Sequence, residues 1–405
     1  MMYSMNKSIG IMAIFLTSLM PSCSSDSDPV DPTDDIEDTG DGPVDTSYLN
    51  TQNLGVNFNE QLDFIDNDAL LALETQWVRG FLDFFRYYND PTLINSDERI
   101  NKYLGLQTYG FKTVLNIKWL FRGSDYPSMD SAEMESQMII LTKILDRVWD
   151  KTDVIVVGNE PFIETDPEDY GPAMYDYYVE AANVVKSYAD AHGERPIFFG
   201  SFDNLYQSRR QNLEVLNNLL DFSRTTPWIS GVDIHVHHSS TQEMVDALDF
   251  VDTRIRDDQK VMISEFSLMK HFRSNLPGNI PAQFANEYEF AGNLMNYEYI
   301  DYALKNQVSK SQWVDFLSQS SWFENRKHYL RNTFYDVFTE YDKFFLAAYA
   351  FRQSYPEMAD FTDTTDPWVL NGLYANRTVE RGEDGRFQFN YAWADDFIAI
   401  QSNTN

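Results

Sequence analysis

Two apolar runs in this chain each lead into a glutamate. The run VIVV at 154–157 continues through Gly-Asn to Glu160, and the run VMIS at 261–264 continues directly to Glu265. A carboxyl group at the end of a buried strand meets a low dielectric, which raises its pKa and keeps a proton available near neutral pH. Either glutamate alone is compatible with an ordinary salt bridge. The two together predict a carboxyl pair suited to acid–base and nucleophilic chemistry.

Such a pair needs a scaffold that brings distant parts of the chain together. Short apolar runs that end in polar residues alternate here with longer amphipathic segments, which is typical of β/α units around a parallel sheet. The runs cover 53–60, 77–85, 112–119, 153–161, 196–204, 231–239 and 260–269, with 344–351 as the least clear eighth. The helical pattern covers 67–76, 131–149, 168–192, 208–222 and 241–256.

This alternation predicts an α/β fold, a (β/α)8 TIM barrel, in which the C-terminal ends of the strands converge on one face. An open doubly wound sheet is the alternative. The sequence shows no GxGxxG after the first run and no Walker loop, so the alternative lacks its usual signals. Residues 270–343 are predicted to form a long helical insertion between strands seven and eight that walls a cleft.

At these positions the chain resembles a known group, the retaining glycoside hydrolases of clan A. These are (β/α)8 enzymes with an Asn-Glu pair ending strand four and a glutamate ending strand seven. The resemblance covers most of residues 53–269. It implies that Glu160 is the general acid/base, that Glu265 is the nucleophile and that Asn159 binds the sugar 2-hydroxyl. No cofactor is expected.

Further positions extend the resemblance. Arg79, in the second run, resembles the arginine that keeps the nucleophile ionised, since a nearby cation lowers a carboxyl pKa. His235 and His237 share one face of the sixth run. The clan often has His-x-Tyr there, so the tyrosine's role falls to His237 or is absent. The other candidate sugar contacts are Asn57, Asn116, Trp119 and Trp368, the last as a substitute for the strand-eight tryptophan of the clan.

The histidines also raise the possibility of a metal site, because three of the six lie at 235, 237 and 238. His238 points to the opposite face of the strand from the other two. Neither a cysteine nor an H-E-x-x-H motif accompanies them, so we expect no metal.

The first 47 residues predict export and anchoring. Lys7 and the apolar run 9–20 are typical of a signal peptide, and the lone cysteine, Cys23, resembles the lipidation site of a bacterial lipoprotein. An ordinary signal peptide with an incidental cysteine is the alternative. Residues 24–47 are acidic and rich in Pro and Gly, which predicts a disordered linker similar to the surface-export signal of Bacteroidetes lipoproteins. We therefore expect residues 48–405 to form the catalytic domain, lipid-anchored at the outer membrane and exposed on the cell surface.

The charge composition indicates which classes of binding partner are compatible with the chain. The chain has 63 acidic against 31 basic residues and a net charge of −32. This balance argues against nucleic acid as a partner and favours a neutral over an anionic glycan. The expected substrate is a β-linked neutral polysaccharide or oligosaccharide, such as a β-glucan, mannan or galactan. We expect cleavage within the polymer (endo action), with exo action as the alternative. A non-catalytic glycan-binding lipoprotein on a degenerate barrel is the alternative from another class, and a lyase is a third.

Overall fold

A computed structural model describes residues 46–354 and 360–404, so the predicted signal peptide, Cys23 and nearly all of the linker lie outside the described residues. Within the described part, no helix combines the length and apolar character that a membrane span requires.

The eight predicted runs form one closed barrel of parallel strands, which confirms the TIM-barrel prediction. The strands are β1 (Asn53–Asn57), β2 (Trp77–Asp83), β3 (Lys112–Lys118), β4 (Val154–Val157), β5 (Ile197–Asp203), β6 (Ile229–His237), β7 (Lys260–Ser267) and β8 (Phe344–Ala350). The order around the barrel follows the chain, and β1 closes it by pairing with β8. The least clear run was therefore assigned correctly.

The barrel interior is divided into an apolar lower part and a polar upper part. Successive inward residues lie two positions apart on a strand. On β2 the inward positions are Trp77 and then Arg79, and on β3 they are Val114 and then Asn116; all four are buried. At the bottom, Trp77 and Val114 belong to a separate apolar cluster. The polar positions follow toward the C-terminal end, where the candidate site lies.

Helices surround the barrel. The α helices are α1 (Asn67–Ala72), α2 (Phe84–Asn89), α3 (Leu93–Ser96), α4 (Glu98–Gly105), α5 (Ala132–Val148), α6 (Pro172–His192), α7 (Ser208–Gln211), α8 (Glu214–Thr225), α9 (Thr241–Asp252), α10 (Met269–Asn275), α11 (Ala282–Glu287), α12 (Asn296–Asn306), α13 (Lys310–Gln319), α14 (Ser321–Glu324), α15 (Tyr329–Thr333) and α16 (Trp393–Thr404). Local capping sets several starts: the Ser131 side chain accepts from the backbone N–H of Met134 at the start of α5. Ser240 and Glu243 form a capping box on α9.

Each of the five predicted helical segments contains a helix, but several of the bounds differ. The pattern over 208–222 is divided between α7 and α8, and the pattern over 67–76 ends at Ala72. Helices α2–α4 and α16 were not predicted. The segment between β7 and β8 holds α10–α15 and a short π-helix at Phe334–Phe338.

Candidate active site

The upper part of the barrel is organised around one buried guanidinium. Arg79 is on β2, and its side chain has no solvent exposure. Nη1 of Arg79 donates to Oε1 of Glu265 at 2.6 Å, and Nη2 donates to the side-chain oxygen of Asn159 at 2.6 Å. Asn57 and Asn116 accept from Nη1 and Nε at 3.0 Å each. Because every contact is fixed by a different strand or strand end, the cation is held in one orientation beneath Glu265.

Glu265 near the end of β7 is therefore held as a carboxylate. Burial opposes its ionisation, but the neighbouring His235 and Arg79 outweigh burial and lower the pKa of Glu265 to about 2. Its side chain keeps 14% of its exposure. An ionised carboxylate that still reaches open space is suited to attack an electrophilic carbon.

Glu160 is presented by a tight turn directly after β4. Gly158 has φ +119°, and a Cβ at this position would lie 2.7 Å from the carbonyl oxygen of Gly200. Glu160 itself has φ +46°, a conformation that non-glycine residues rarely adopt. Its backbone N–H donates to the carbonyl of Ser201 at 3.1 Å. The close approach of β4 and β5 thus turns the Glu160 side chain toward the barrel axis.

The two glutamates are brought together with opposite ionisation. Burial raises the pKa of Glu160, and the nearby charge of Glu265 raises it further, while the contact with His235 acts against both. One carboxylate oxygen of Glu160 lies within 4.8 Å of one carboxylate oxygen of Glu265. One carboxyl group is thereby disposed to hold a proton and the other to lose it, which is the separation of roles that acid and nucleophile require.

The two histidines on β6 flank this pair. Nδ1 of His235 lies 3.2 Å from Oε1 of Glu160. Nε2 of His237 lies 3.9 Å from both glutamates, and its Nδ1 is 2.9 Å from the Ser267 hydroxyl. Burial lowers the pKa of His237 to about 3, so this ring is neutral near neutral pH.

Trp368 comes from the segment after β8 rather than from the strand itself. Its ring lies edge-on to His237, with 4.7 Å between the ring centroids, and it is only partly buried. Trp368 therefore lies next to His237, and its contact with a sugar stays a prediction.

Glu160, His237 and Glu265 are close enough to bind a cation, with ligand atoms within 4.8 Å of one another. The chemistry of these groups fits a metal poorly. Glu265 already pairs with the Arg79 guanidinium at 2.6 Å, and the raised pKa of Glu160 favours its protonated form, which is a weak ligand.

Two predicted sugar contacts are contradicted by burial. Trp119 has no exposure, and its ring packs against Phe84, Tyr177 and Tyr178. Asn116 is likewise unexposed, and its amide is engaged by Arg79 on one side and by Ser201 on the other. Trp119 is therefore a core residue, and Asn116 supports Arg79 instead of touching a substrate. Period-two reasoning gives the face of a strand but not the depth of a side chain below the cleft.

Three further predicted site residues, Asn57, Asn159 and Arg79, lie close to the glutamates but below the open part of the site. All three are close to Glu265 but almost fully buried, and they contact one another through the Arg79 guanidinium. A sugar contact for Asn159 and Asn57 remains a prediction. The structure pairs Arg79 with Glu265, as the resemblance implies for the arginine beside the nucleophile.

Sequence reasoning gave no role to the residues beneath His235. Asp233 is completely buried, and the side chains of Ser264 and Ser201 both donate to it. A signal was available: a charged residue and a serine occupy inward positions on β6 and β7, directly above apolar inward positions such as Met262. Buried polar side chains of this kind need partners, so their clustering indicates a network.

Comparison with known proteins adds the fold and little else. No protein-family model matches the chain, and no curated protein matches it in sequence. A β-glucosidase from Exiguobacterium marinum superposes with a TM-score of 0.50 at 10% identity, over 87% of this chain and 98% of that one. A virulence factor from Agrobacterium tumefaciens gives 0.50 at 9% identity, over 88% and 98%. The chain therefore shares a barrel fold with a glycosidase, and its activity must be argued from the site.

Proposed function

We propose that the protein is a retaining glycoside hydrolase, with Glu160 as the general acid/base and Glu265 as the nucleophile. The observation that carries the proposal is the carboxyl pair: one oxygen of each group lies within 4.8 Å of one oxygen of the other, and the two pKa values are shifted in opposite directions. Retaining enzymes place their two carboxyl groups about 5–5.5 Å apart, whereas inverting enzymes need about 6.5–9.5 Å to admit a water molecule. The observed proximity favours retention.

The chemistry then proceeds in two displacements. Glu265 attacks the anomeric carbon while Glu160 gives its proton to the leaving oxygen, so one C–O bond breaks as a glycosyl–carboxylate bond forms. Glu160, now a carboxylate, removes a proton from water, and that water attacks the anomeric carbon and releases Glu265. Arg79 supports both steps because it stabilises the Glu265 carboxylate before attack and after release.

For the substrate we propose a β-linked neutral polysaccharide, cleaved within the chain, with oligosaccharides as smaller substrates. The net charge of −32 supports a neutral glycan, because an acidic surface repels a polyanion. The partly exposed Trp368 beside His237 supports sugar binding, because an aromatic face stacks on a pyranose. Endo action fits the proposed location on the cell surface, where polymers too large to import are met first.

The test is to change each glutamate separately and follow hydrolysis of aryl β-glycosides and of a panel of β-glucan, mannan and galactan. Glu265→Ala and Glu160→Ala are each expected to lower kcat by at least about 10³-fold on substrates with poor leaving groups. Glu168→Gln, an exposed carboxyl on the loop after β4, is the control and should retain full activity.

Two further readouts identify the roles. Azide should restore activity to both variants, with Glu160→Ala giving a glycosyl azide of retained configuration and Glu265→Ala giving the opposite anomer. Proton NMR of the first product of the wild-type protein should show retained anomeric configuration. If the wild-type protein binds glycans but hydrolyses none of the panel, the non-catalytic glycan-binding function replaces this proposal.

A further inference from the structure

A chain of hydrogen bonds connects a carboxylate deep in the barrel to His235, the histidine that lies beside the candidate catalytic pair. Asp233 on β6 is fully buried. It accepts from the backbone N–H of Ser264 at 3.0 Å and from the Ser264 hydroxyl at 2.6 Å. The side-chain amide of Asn116 at 3.2 Å and the hydroxyl of Ser201 complete its set of donors. The oxygens of Asp233 are thus engaged as acceptors by three strands.

The direction of the hydrogen bond from Ser264 to Asp233 determines the direction of the hydrogen bond between His235 and Ser264. The Ser264 hydroxyl has a single proton, and it donates that proton to Asp233. Its oxygen is therefore left to accept from Nε2 of His235, which lies 2.9 Å away. Nη2 of Arg79, which can only donate, lies farther from Nε2 at 3.4 Å and already donates to Asn159 at 2.6 Å. The shorter contact to Ser264 therefore places a proton on Nε2 of His235.

With Nε2 protonated, Nδ1 is the nitrogen available to the catalytic pair. It lies 3.2 Å from Oε1 of Glu160 and 3.8 Å from Oε1 of Glu265. The His235 ring is completely buried, so water does not compete for this nitrogen. The charged and titratable groups that face the ring are Glu160 from the segment after β4, Asp233 and His237 from β6, Glu265 from β7 and Arg79 from β2.

We infer that Asp233 and Ser264 are positioning residues for Glu160: they hold a proton on Nε2 of His235 and so leave Nδ1 to exchange a proton with the Glu160 carboxyl group. The inference rests on the proposed glycosidase function for its kinetic consequences, but the hydrogen-bond assignment stands on the distances alone. Ser264 directly precedes Glu265 in the chain, so β7 supplies both the nucleophile and the link that sets the proton of the acid.

The proton shared by His235 and Glu160 takes part in both displacements of the proposed reaction. When Glu160 gives its proton to the leaving oxygen, the His235–Glu160 pair loses that one proton, and His235 keeps the other on Nε2. When Glu160 then takes a proton from water, the His235–Glu160 pair returns to its starting state. The pair neither gains nor loses a proton over the cycle. The surrounding carboxyl groups favour the protonated ring, and accordingly the pKa of His235 is raised although burial alone would lower it.

The first test is Ser264→Ala, which removes the hydroxyl link without changing any charge. His235 loses its contact to Asp233 and becomes a weaker cation, so Glu160 keeps its proton to higher pH. The basic limb of the pH–rate profile reports the pKa of Glu160, because the general acid must be protonated. We expect this limb to move to higher pH by about one pH unit. On an aryl β-glycoside with a poor leaving group kcat should fall about 10- to 100-fold, with KM changed by less than about threefold. Ser264→Thr keeps the hydroxyl and should restore the wild-type limb.

The matched control is Ser201→Ala. It also removes a hydroxyl donor to Asp233 but leaves the path through Ser264 to His235 intact. It should leave the limb at its wild-type pH. A shift in Ser201→Ala as large as in Ser264→Ala, or an unchanged profile in Ser264→Ala, would overturn the inference, because the effect would then not pass through His235.

The second test does not depend on activity. Nitrogen-15 NMR of the imidazole rings, with His235 assigned by comparison with His235→Asn, reports which nitrogen carries the proton. The wild-type protein should show a protonated Nε2, and Ser264→Ala should lose this preference. A wild-type ring protonated on Nδ1 alone refutes the inference even if hydrolysis is observed. Absence of hydrolysis with a protonated Nε2 refutes the proposed function and leaves the positioning network standing.

Discussion

At the scale of single residues, the ionisation of Glu265 depends on Arg79. Burial raises the pKa of Glu265, and His235 and Arg79 lower it; Arg79→Met removes the partner that lies 2.6 Å from the carboxylate and leaves His235 to oppose burial with less help. We expect kcat/KM to fall by at least about 10²-fold and its acidic limb to move to higher pH. The measurement is a pH–rate profile on an aryl β-glycoside. Arg224→Met, at an exposed surface pair, is the control and should match the wild type.

A second residue-scale prediction concerns stability in acid. The pKa of His237 is lowered to about 3 by burial, from an ordinary value near 6.5. Between pH 6.5 and pH 3, His237 is therefore protonated in the unfolded chain and neutral in the folded chain. The contribution of His237 to the free energy of unfolding is therefore complete above pH 6.5 and is lost as the pH falls toward 3. His238, with a pKa lowered to about 4, acts in the same direction, and Glu265 adds a further loss between its ordinary pKa near 4.5 and about 2.

The check is the melting temperature followed from pH 7 to pH 3, for the wild-type protein and for His237→Asn. We expect the wild-type curve to fall steeply over this range and the curve of the variant to fall less. Equal slopes for the two proteins would mean that His237 does not titrate differently in the folded and unfolded states.

At the scale of elements, two glycines allow the cost of backbone strain at positive φ to be separated from the cost of a steric clash. One of them is Gly158, in the turn after β4. Gly158→Ala places a Cβ 2.7 Å from the Gly200 carbonyl and also occupies φ +119°. Gly193→Ala after α6 occupies φ +94° with no atom within 4 Å of the new Cβ. We expect Gly193→Ala to cost about 1–2 kcal/mol in unfolding free energy and Gly158→Ala clearly more, with activity lost only in the latter.

Denaturant unfolding gives both free energies, and hydrolysis assays give the activities. If Gly158→Ala remained as active and as stable as Gly193→Ala, the strand separation between β4 and β5 would not be what positions Glu160.

The same elements show what sequence can and cannot predict here. The strands were placed to within a few residues because buried parallel strands are short, apolar and bounded by polar residues, and Glu160 and Glu265 stood out because they interrupt that pattern. Helices such as α2 and α3 were not predicted because fewer than two turns show too little hydrophobic periodicity. Trp119 was misassigned because composition gives a ring but not its exposure. Ser264 escaped because its importance lies in a partner 31 positions away.

At the scale of the whole molecule, the anchoring of the chain remains a proposal from its first 23 residues. We expect the wild-type protein to label with a radioactive fatty acid in a bacterial host and to sediment with membranes. Cys23→Ala should abolish the label and release the protein, whereas Ser24→Ala, as the control, should change neither. Surface exposure is measured separately by adding protease to intact cells. Membrane association of unlabelled Cys23→Ala would show that something other than a lipid on this cysteine holds the protein.

The Arg79 contacts have a consequence for how the barrel could be divided. A cut between β4 and β5 would leave Arg79 and Glu160 in the first half and Glu265, Asp233 and His235 in the second. Each fragment would then contain a charge whose counter-ion belongs to the other, placed where solvent is excluded. Neither half could close on itself at low cost. The two halves of the barrel therefore depend on each other for the partners of their buried charges.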